Sequence, residues 1–186
     1  MHSWFEPVAL WSAVEQQLAQ HPRAALRQVL GTLVLGAAGV ASAVWVGTTY
    51  FSTRWNADLG FLPGEAAFFD PFRTTLLGFA LAPLSLALMY LLLAPMFRQP
   101  RRPLASLAVA VVGALPIYAA GLLLVAPPAV LLLFAAFILS CFWWSAGVRQ
   151  LLGVAGGDAT ELNVLALLGS GVLLQFGGAL LVHLIT

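Results

Sequence analysis

Side chains able to do chemistry are few in this sequence of 186 residues, and they stand far apart. The histidines, His2, His21 and His183, do not assemble a metal-ligand set, and the single cysteine, Cys141, excludes both an intramolecular disulfide and a Cys-based zinc site. Cys141 lies inside an apolar run, which reads as a buried, unreactive thiol. Serines 42, 85, 140, 145 and 170 also sit in apolar stretches. His183 is the one histidine in those stretches, so no nucleophile–base pair is expected. The Gly153–Gly157 stretch contains no lysine and follows no strand pattern, which argues against a phosphate-binding loop. The sequence therefore predicts no catalytic residue, no cofactor and no metal. The remaining polar candidates within apolar runs are Tyr90, Tyr118, Gln175 and His183. Gln175 is expected to bond a neighbouring helix, and His183, within a turn of the last residue, to sit at headgroup level.

The elements that must position these side chains follow from composition. Hydrophobic residues make up 61% of the chain and charged residues 8%, with a mean hydropathy of +0.96. A soluble domain carries about 25% charged residues. The eight basic residues, all arginine, and seven acidic ones give a net charge of +1, with no field that would draw nucleic acid. The expectation is an all-α polytopic membrane protein, because helices satisfy their own backbone groups in lipid.

Uncharged runs place the spans. Gln28–Thr53, Thr74–Phe97 and Leu162–Thr186 each suit one crossing, which needs ~20 apolar residues. Pro103–Val148 is too long for one crossing and is cut at Pro127-Pro128. The predicted organisation is an amphipathic helix over residues 1–21, followed by a five-helix membrane domain over 22–186. Its spans cover about 29–51, 73–97, 104–126, 128–148 and 162–185. Asp70-Pro71 reads as a helix start, and Asp158 with Glu161 has capping-box spacing ahead of the fifth span. His21-Pro22 ends one helix and opens the next, and Pro83 and Pro116 are expected to kink spans two and three.

Trp4, Val8, Trp11, Val14 and Leu18 recur at helical spacing, and tryptophan suits the headgroup layer, so this face is expected to lie along the membrane. The alternative is packing against a protein partner. The opening stretch lacks the basic and apolar regions of a secretory signal, and no lipidation motif is evident. Arg23, Arg27, Arg98, Arg101, Arg102 and Arg149 fall on one side of the five spans. Arg54 and Arg73 fall on the other, with Asp58, Glu65 and Asp70. The positive-inside rule then predicts a cytoplasmic N-terminus and an external C-terminus.

Small residues mark helix contacts: Gly39, Ala43 and Gly47 share a face of the first span, and Ala166, Ser170 and Gly178 one of the fifth. Packing within the bundle and contact with another membrane subunit both suit them. Phe142-Trp143-Trp144, and Trp45, Tyr50, Phe51 and Trp55, read as aromatic belts.

The stretch Leu115-Pro116-Ile117-Tyr118, then Pro127-Pro128, then Phe142-Trp143-Trp144 leading into Gly147-Val148-Arg149 and Leu151-Leu152-Gly153-Val154, resembles short prokaryotic members of the Yip1-domain family. The likeness extends over nearly the whole chain, from Glu6-Pro7 onward. The Asp-Leu-Tyr-Gly-Pro motif of eukaryotic members is absent. The resemblance implies a non-enzymatic membrane protein acting through other membrane proteins or on the bilayer, and it carries no catalytic residues. The expected function is that of an adaptor, accessory subunit or membrane-organising scaffold, and the likeness to prokaryotic members implies a bacterial inner membrane. Its expected partners are membrane lipids and a membrane protein or a second copy, not nucleic acid. A small carrier or channel for an apolar or lipid solute is the alternative, and a subunit whose cofactors lie on other chains is a third reading.

Overall fold

The computed structural model describes the backbone of residues 7–59, 71–125 and 130–185, and the side chains of residues 7–48, 72–125 and 131–176. Every regular element among them is helical: α1 (Val8–Gln20), α2 (Pro22–Leu59), α3 (Pro71–Leu93), α4 (Pro103–Gly113), α5 (Leu115–Gly121), α6 (Val130–Gly147) and α7 (Gly156–Ile185). Five segments are long and apolar enough to cross a membrane: Pro22–Thr48, Phe72–Phe97, Pro103–Val125, Leu131–Leu152 and Gly156–Phe176. The chain has the all-α architecture of an integral membrane protein, as its uncharged runs predict.

Helix ends account for the differences from the predicted boundaries. The first spanning helix starts at Pro22, where a missing N–H costs nothing, as the His21-Pro22 signal predicts, so the helix begins ahead of the span expected from about residue 29. The fifth starts at Gly156, whose positive φ of 56° turns the chain into the helix, so Asp158 falls within the first turn instead of capping it. There it faces the positive end of the helix dipole. Pro127-Pro128 and Asp70 lie outside the described residues.

At the end of the bundle that carries Arg98, Arg101 and Arg102, the chain closes α3 with a 3-10 turn, Ala94–Phe97. Arg98 takes a left-handed φ of 58°, and the N–H groups of Arg98 and Gln99 return to Pro95 O at 3.1 Å and Ala94 O at 3.0 Å. Opposite this loop, α6 widens into a π turn, Val148–Leu152, which leaves carbonyls unpaired at its end. Arg102 Nη1 donates to Leu151 O at 3.2 Å and Gln99 Nε2 to Gly153 O at 3.1 Å. The basic loop therefore closes one helix and caps another.

The third span is the centre of the bundle: 56% of it is buried, against 22–33% of the other four. α4 is buried all round from Ala108 to Gly113, and small side chains there let α2, α3 and α6 approach together. Between helices in lipid the attraction is close packing rather than exclusion of water, so small residues set the contacts. The small faces predicted from sequence are used inside the bundle. A Cβ on Gly39 would meet Leu122 at 2.9 Å and one on Gly47 would meet Leu124 O at 2.6 Å, while Ala43 is buried. On α7, Ala166 and Ser170 are buried too; the side-chain position of Gly178 lies outside the described residues.

The N-terminal helix departs from the expectation that its apolar face lies along the bilayer. Trp11 is fully buried, and its six-membered ring occupies the space a Cβ on Gly147 would need, 2.8 Å away. Val14 and Leu18 also pack on the core, whereas Val8 is exposed and Trp4 lies outside the described residues. The face is apolar because the chain's own bundle covers it. Gln17 bonds Gln28 of α2, and Gln150 of the π turn donates to Glu15 at 3.1 Å. Trp11→Ala is expected to remove ~3–5 kcal/mol of packing and release α1. Cleavage near His21 by limited proteolysis in detergent, absent from the wild type, is the readout; unchanged protection would refute the docking.

Candidate functional site

At two places at mid-bundle where helical hydrogen bonding is interrupted, an aromatic side chain from another span supplies the missing donor. Pro83 within α3 has no N–H to give the carbonyl four residues back, Phe79 O. The hydroxyl of Tyr118, on α5, donates to that oxygen at 3.1 Å. In the third span, Ala114 N–H bonds Val111 O at 3.2 Å, an i→i−3 contact that separates α4 from α5 just ahead of Pro116. Ala110 O, the partner Ala114 would have in an unbroken helix, accepts instead from Trp144 Nε1 at 3.0 Å. Gly113 makes this possible, since a Cβ there would lie 2.1 Å from Trp144 Cδ1. The ring of Tyr118 likewise lies over Gly36 of α2, 2.7 Å from where a Cβ would be.

A third polar group joins α3, α6 and α7. Tyr90, fully buried, donates its hydroxyl to Asn163 Oδ1, and Asn163 Nδ2 reaches Ser145 Oγ at 3.3 Å and Cys141 O at 3.4 Å. In hydrocarbon such a group serves as a clasp between helices. Tyr90 is among the polar candidates read from sequence, but Asn163 is not. Lying two residues after Glu161, it looks like part of a polar helix end.

Where the interrupted helices separate, a cleft of about 640 Å³ lies between α3, α5, α6 and α7. It extends along α3 from Thr74 to Leu86, about 18 Å of helix, comparable with half of a ~30 Å hydrocarbon core. No charged side chain lines it. The hydroxyl of Tyr118, the indole N–H of Trp144 and the hydroxyl of Ser170 are all engaged with backbone carbonyls. The walls are therefore apolar in effect, and Thr74 and Thr75 stand at the end away from the basic loop. Gly78, Leu168 and Gly171 line the cleft and are exposed, so it opens on the side of the bundle.

The other sequence candidates do not converge on this cleft. Gln175 is exposed on α7 rather than bonded to a neighbour, and the side chain of His183 lies outside the described residues. Trp144, expected in an aromatic belt with Phe142 and Trp143, is instead buried in the bundle, while Phe142 is exposed. Trp45 is half exposed, in keeping with a belt; the side chains of Tyr50, Phe51 and Trp55 lie outside the described residues. Among the described residues no group of histidine, cysteine and carboxylate side chains could hold a metal ion.

No family model matches the chain, and neither curated proteins nor solved structures provide a match. The Yip1-domain resemblance accordingly rests on the sequence pattern alone.

Removing either aromatic donor should leave a buried carbonyl unpaired. Tyr118→Phe and Trp144→Phe are each expected to cost ~1–3 kcal/mol, seen as a lower midpoint in SDS-titrated unfolding. Midpoints equal to that of the wild type would show that the repair contributes nothing.

Proposed function

We propose that the chain is a non-catalytic integral membrane protein that takes up the apolar chain of a lipid-class molecule in the cleft between α3, α5, α6 and α7, acting as a small carrier. The carrying observation is the cleft itself: one leaflet deep, apolar along its length, open at the side of the bundle and free of charged lining residues. A chain entering sideways from the bilayer meets the Tyr118, Trp144 and Ser170 donors already engaged with backbone carbonyls. Ion coupling has no support in these walls, because it needs ionisable groups inside the membrane.

Gly78 offers a direct test. It lines the cleft and nothing lies within 4 Å of a Cβ placed there, so Gly78→Leu fills the space without a backbone clash. In vesicles containing a diazirine fatty acid, the wild type should be photolabelled on α3 and α7, and Gly78→Leu should lose most of that label. Equal labelling of the two proteins would sink the carrier reading.

A second reading, that of an adaptor or accessory subunit, is favoured by the outward face of α7. Val164, Leu168, Val172 and Phe176 repeat every four residues and are 48%, 65%, 56% and 72% exposed. Such a stripe suits a helix of a second copy or of another membrane protein. A strictly monomeric particle in mild detergent would count against it.

We place the basic end in the cytoplasm, since Arg23, Arg27, Arg98, Arg101, Arg102 and Arg149 gather there and Arg73 lies at the other end; the resemblance to prokaryotic proteins suggests a bacterial inner membrane. A reporter inserted at Gln99 should give a cytoplasmic signal; an external signal would invert the topology.

A further inference from the structure

A second cleft, of about 510 Å³, lies between α1, α2 and the broken third span, in the half of the bundle nearer the basic end. Its floor includes Val112 and Leu115, whereas Ala114, Ile117 and Tyr118 face the first cleft. The two cavities thus occupy opposite faces of one helix break and are separate sites.

The chemistry of this second cleft differs from that of the first. Val14 and Leu18 of α1 and Val29 of α2 make its sides apolar. Gln17 and Gln28 also line it, and the Gln17 amide donates to the Gln28 carbonyl oxygen between the two helices. Each amide has more donors and acceptors than that one bond uses: Gln17 keeps its carbonyl oxygen and Gln28 its amino group. No charged side chain lines the cleft. A phosphate or carboxylate would enter without a counter-charge from its lining, while a hydroxyl could exchange hydrogen bonds with both amides.

We propose that this cleft binds an uncharged glycerolipid, with its glycerol hydroxyls at Gln17 and Gln28 and its acyl chain directed toward Val112 and Leu115. The glutamines set the level of the head, and α1, folded back over the site from the His21–Pro22 junction, forms one wall. The occupant is a bilayer component, which reaches the site from the same leaflet. This site does not depend on what fills the first cleft.

The test uses the full chain in vesicles doped with a monoacylglycerol carrying a diazirine on its acyl chain. Crosslinks are expected on α1 and on the part of α2 that contains Val29. Gly31 lines this cleft and has nothing within 4 Å of a Cβ placed there, so Gly31→Leu should fill the site and abolish those crosslinks. Label on α3 and α7 should persist in Gly31→Leu and be lost in Gly78→Leu, so failure at one cleft is distinguished from failure at the other. Replacing both Gln17 and Gln28 by leucine should lower labelling by the monoacylglycerol about tenfold, through two lost hydrogen-bonding partners, and leave labelling by a diazirine alkane unchanged. Undiminished α1 and α2 labelling in Gly31→Leu would overturn the proposal. So would equal labelling by a lysophosphatidic acid probe, because a site without counter-charge should discriminate against it.

Discussion

Inside hydrocarbon, a backbone carbonyl that loses its helical donor has no water to replace it, and each such group costs several kcal/mol. Two such carbonyls at mid-bundle take a side-chain donor instead, Phe79 O opposite Pro83 and Ala110 O at the break at Ala114. Much of the packing follows from their repair. Tyr118 reaches α3 from α5 with its side chain alone, across Gly36 of α2, and Trp144 must reach α4, which fixes α6 against the third span. Both rings are bulky, so the bundle makes room with glycine, at Gly36 beneath Tyr118 and at Gly113 beneath Trp144. A methyl at either position would collide with an aromatic ring that is itself held by a hydrogen bond.

The clefts lie beside the same interruptions. The third span is broken between Gly113 and Leu115, and space remains on both faces of that break. Two donors on the wall of the first cleft, Tyr118 and Trp144, are engaged in the repair. The second remains polar at Gln17 and Gln28, since neither glutamine is needed to satisfy an interrupted helix.

Much of the architecture was legible in the sequence. Charge-free runs of crossing length placed five spans, and the proline signals at Pro22 and Pro71 marked helix starts. The i−4 consequence of Pro83 could also be read: Phe79 O must lose its donor. The identity of the replacement could not, because the packing of α5 against α2 and α6 selects Tyr118 from several candidates. Trp144 was misplaced for a related reason. An indole with an apolar body and one N–H suits a headgroup layer as well as it suits an orphaned carbonyl, and sequence spacing does not separate the two. Trp11 posed the same ambiguity, since an amphipathic helix has one apolar face whether lipid or its own bundle covers it.

The sequence by itself determined that this protein is a helical bundle with its charges confined to the span ends, because the cost of charge and unpaired backbone in lipid leaves few other solutions. It also marked the small-residue faces as places where another helix can approach closely. Only the tertiary structure decided which helices these are, and that the faces built on Gly39 and Ala166 are covered within the chain. It also decided that Asn163 pairs with Tyr90, and that the two cavities open on opposite sides of one break. Those are long-range facts: they depend on how five helices of nearly uniform hydrophobicity find their neighbours, and in lipid that choice rests on shape and a few hydrogen bonds rather than on the apolar pattern.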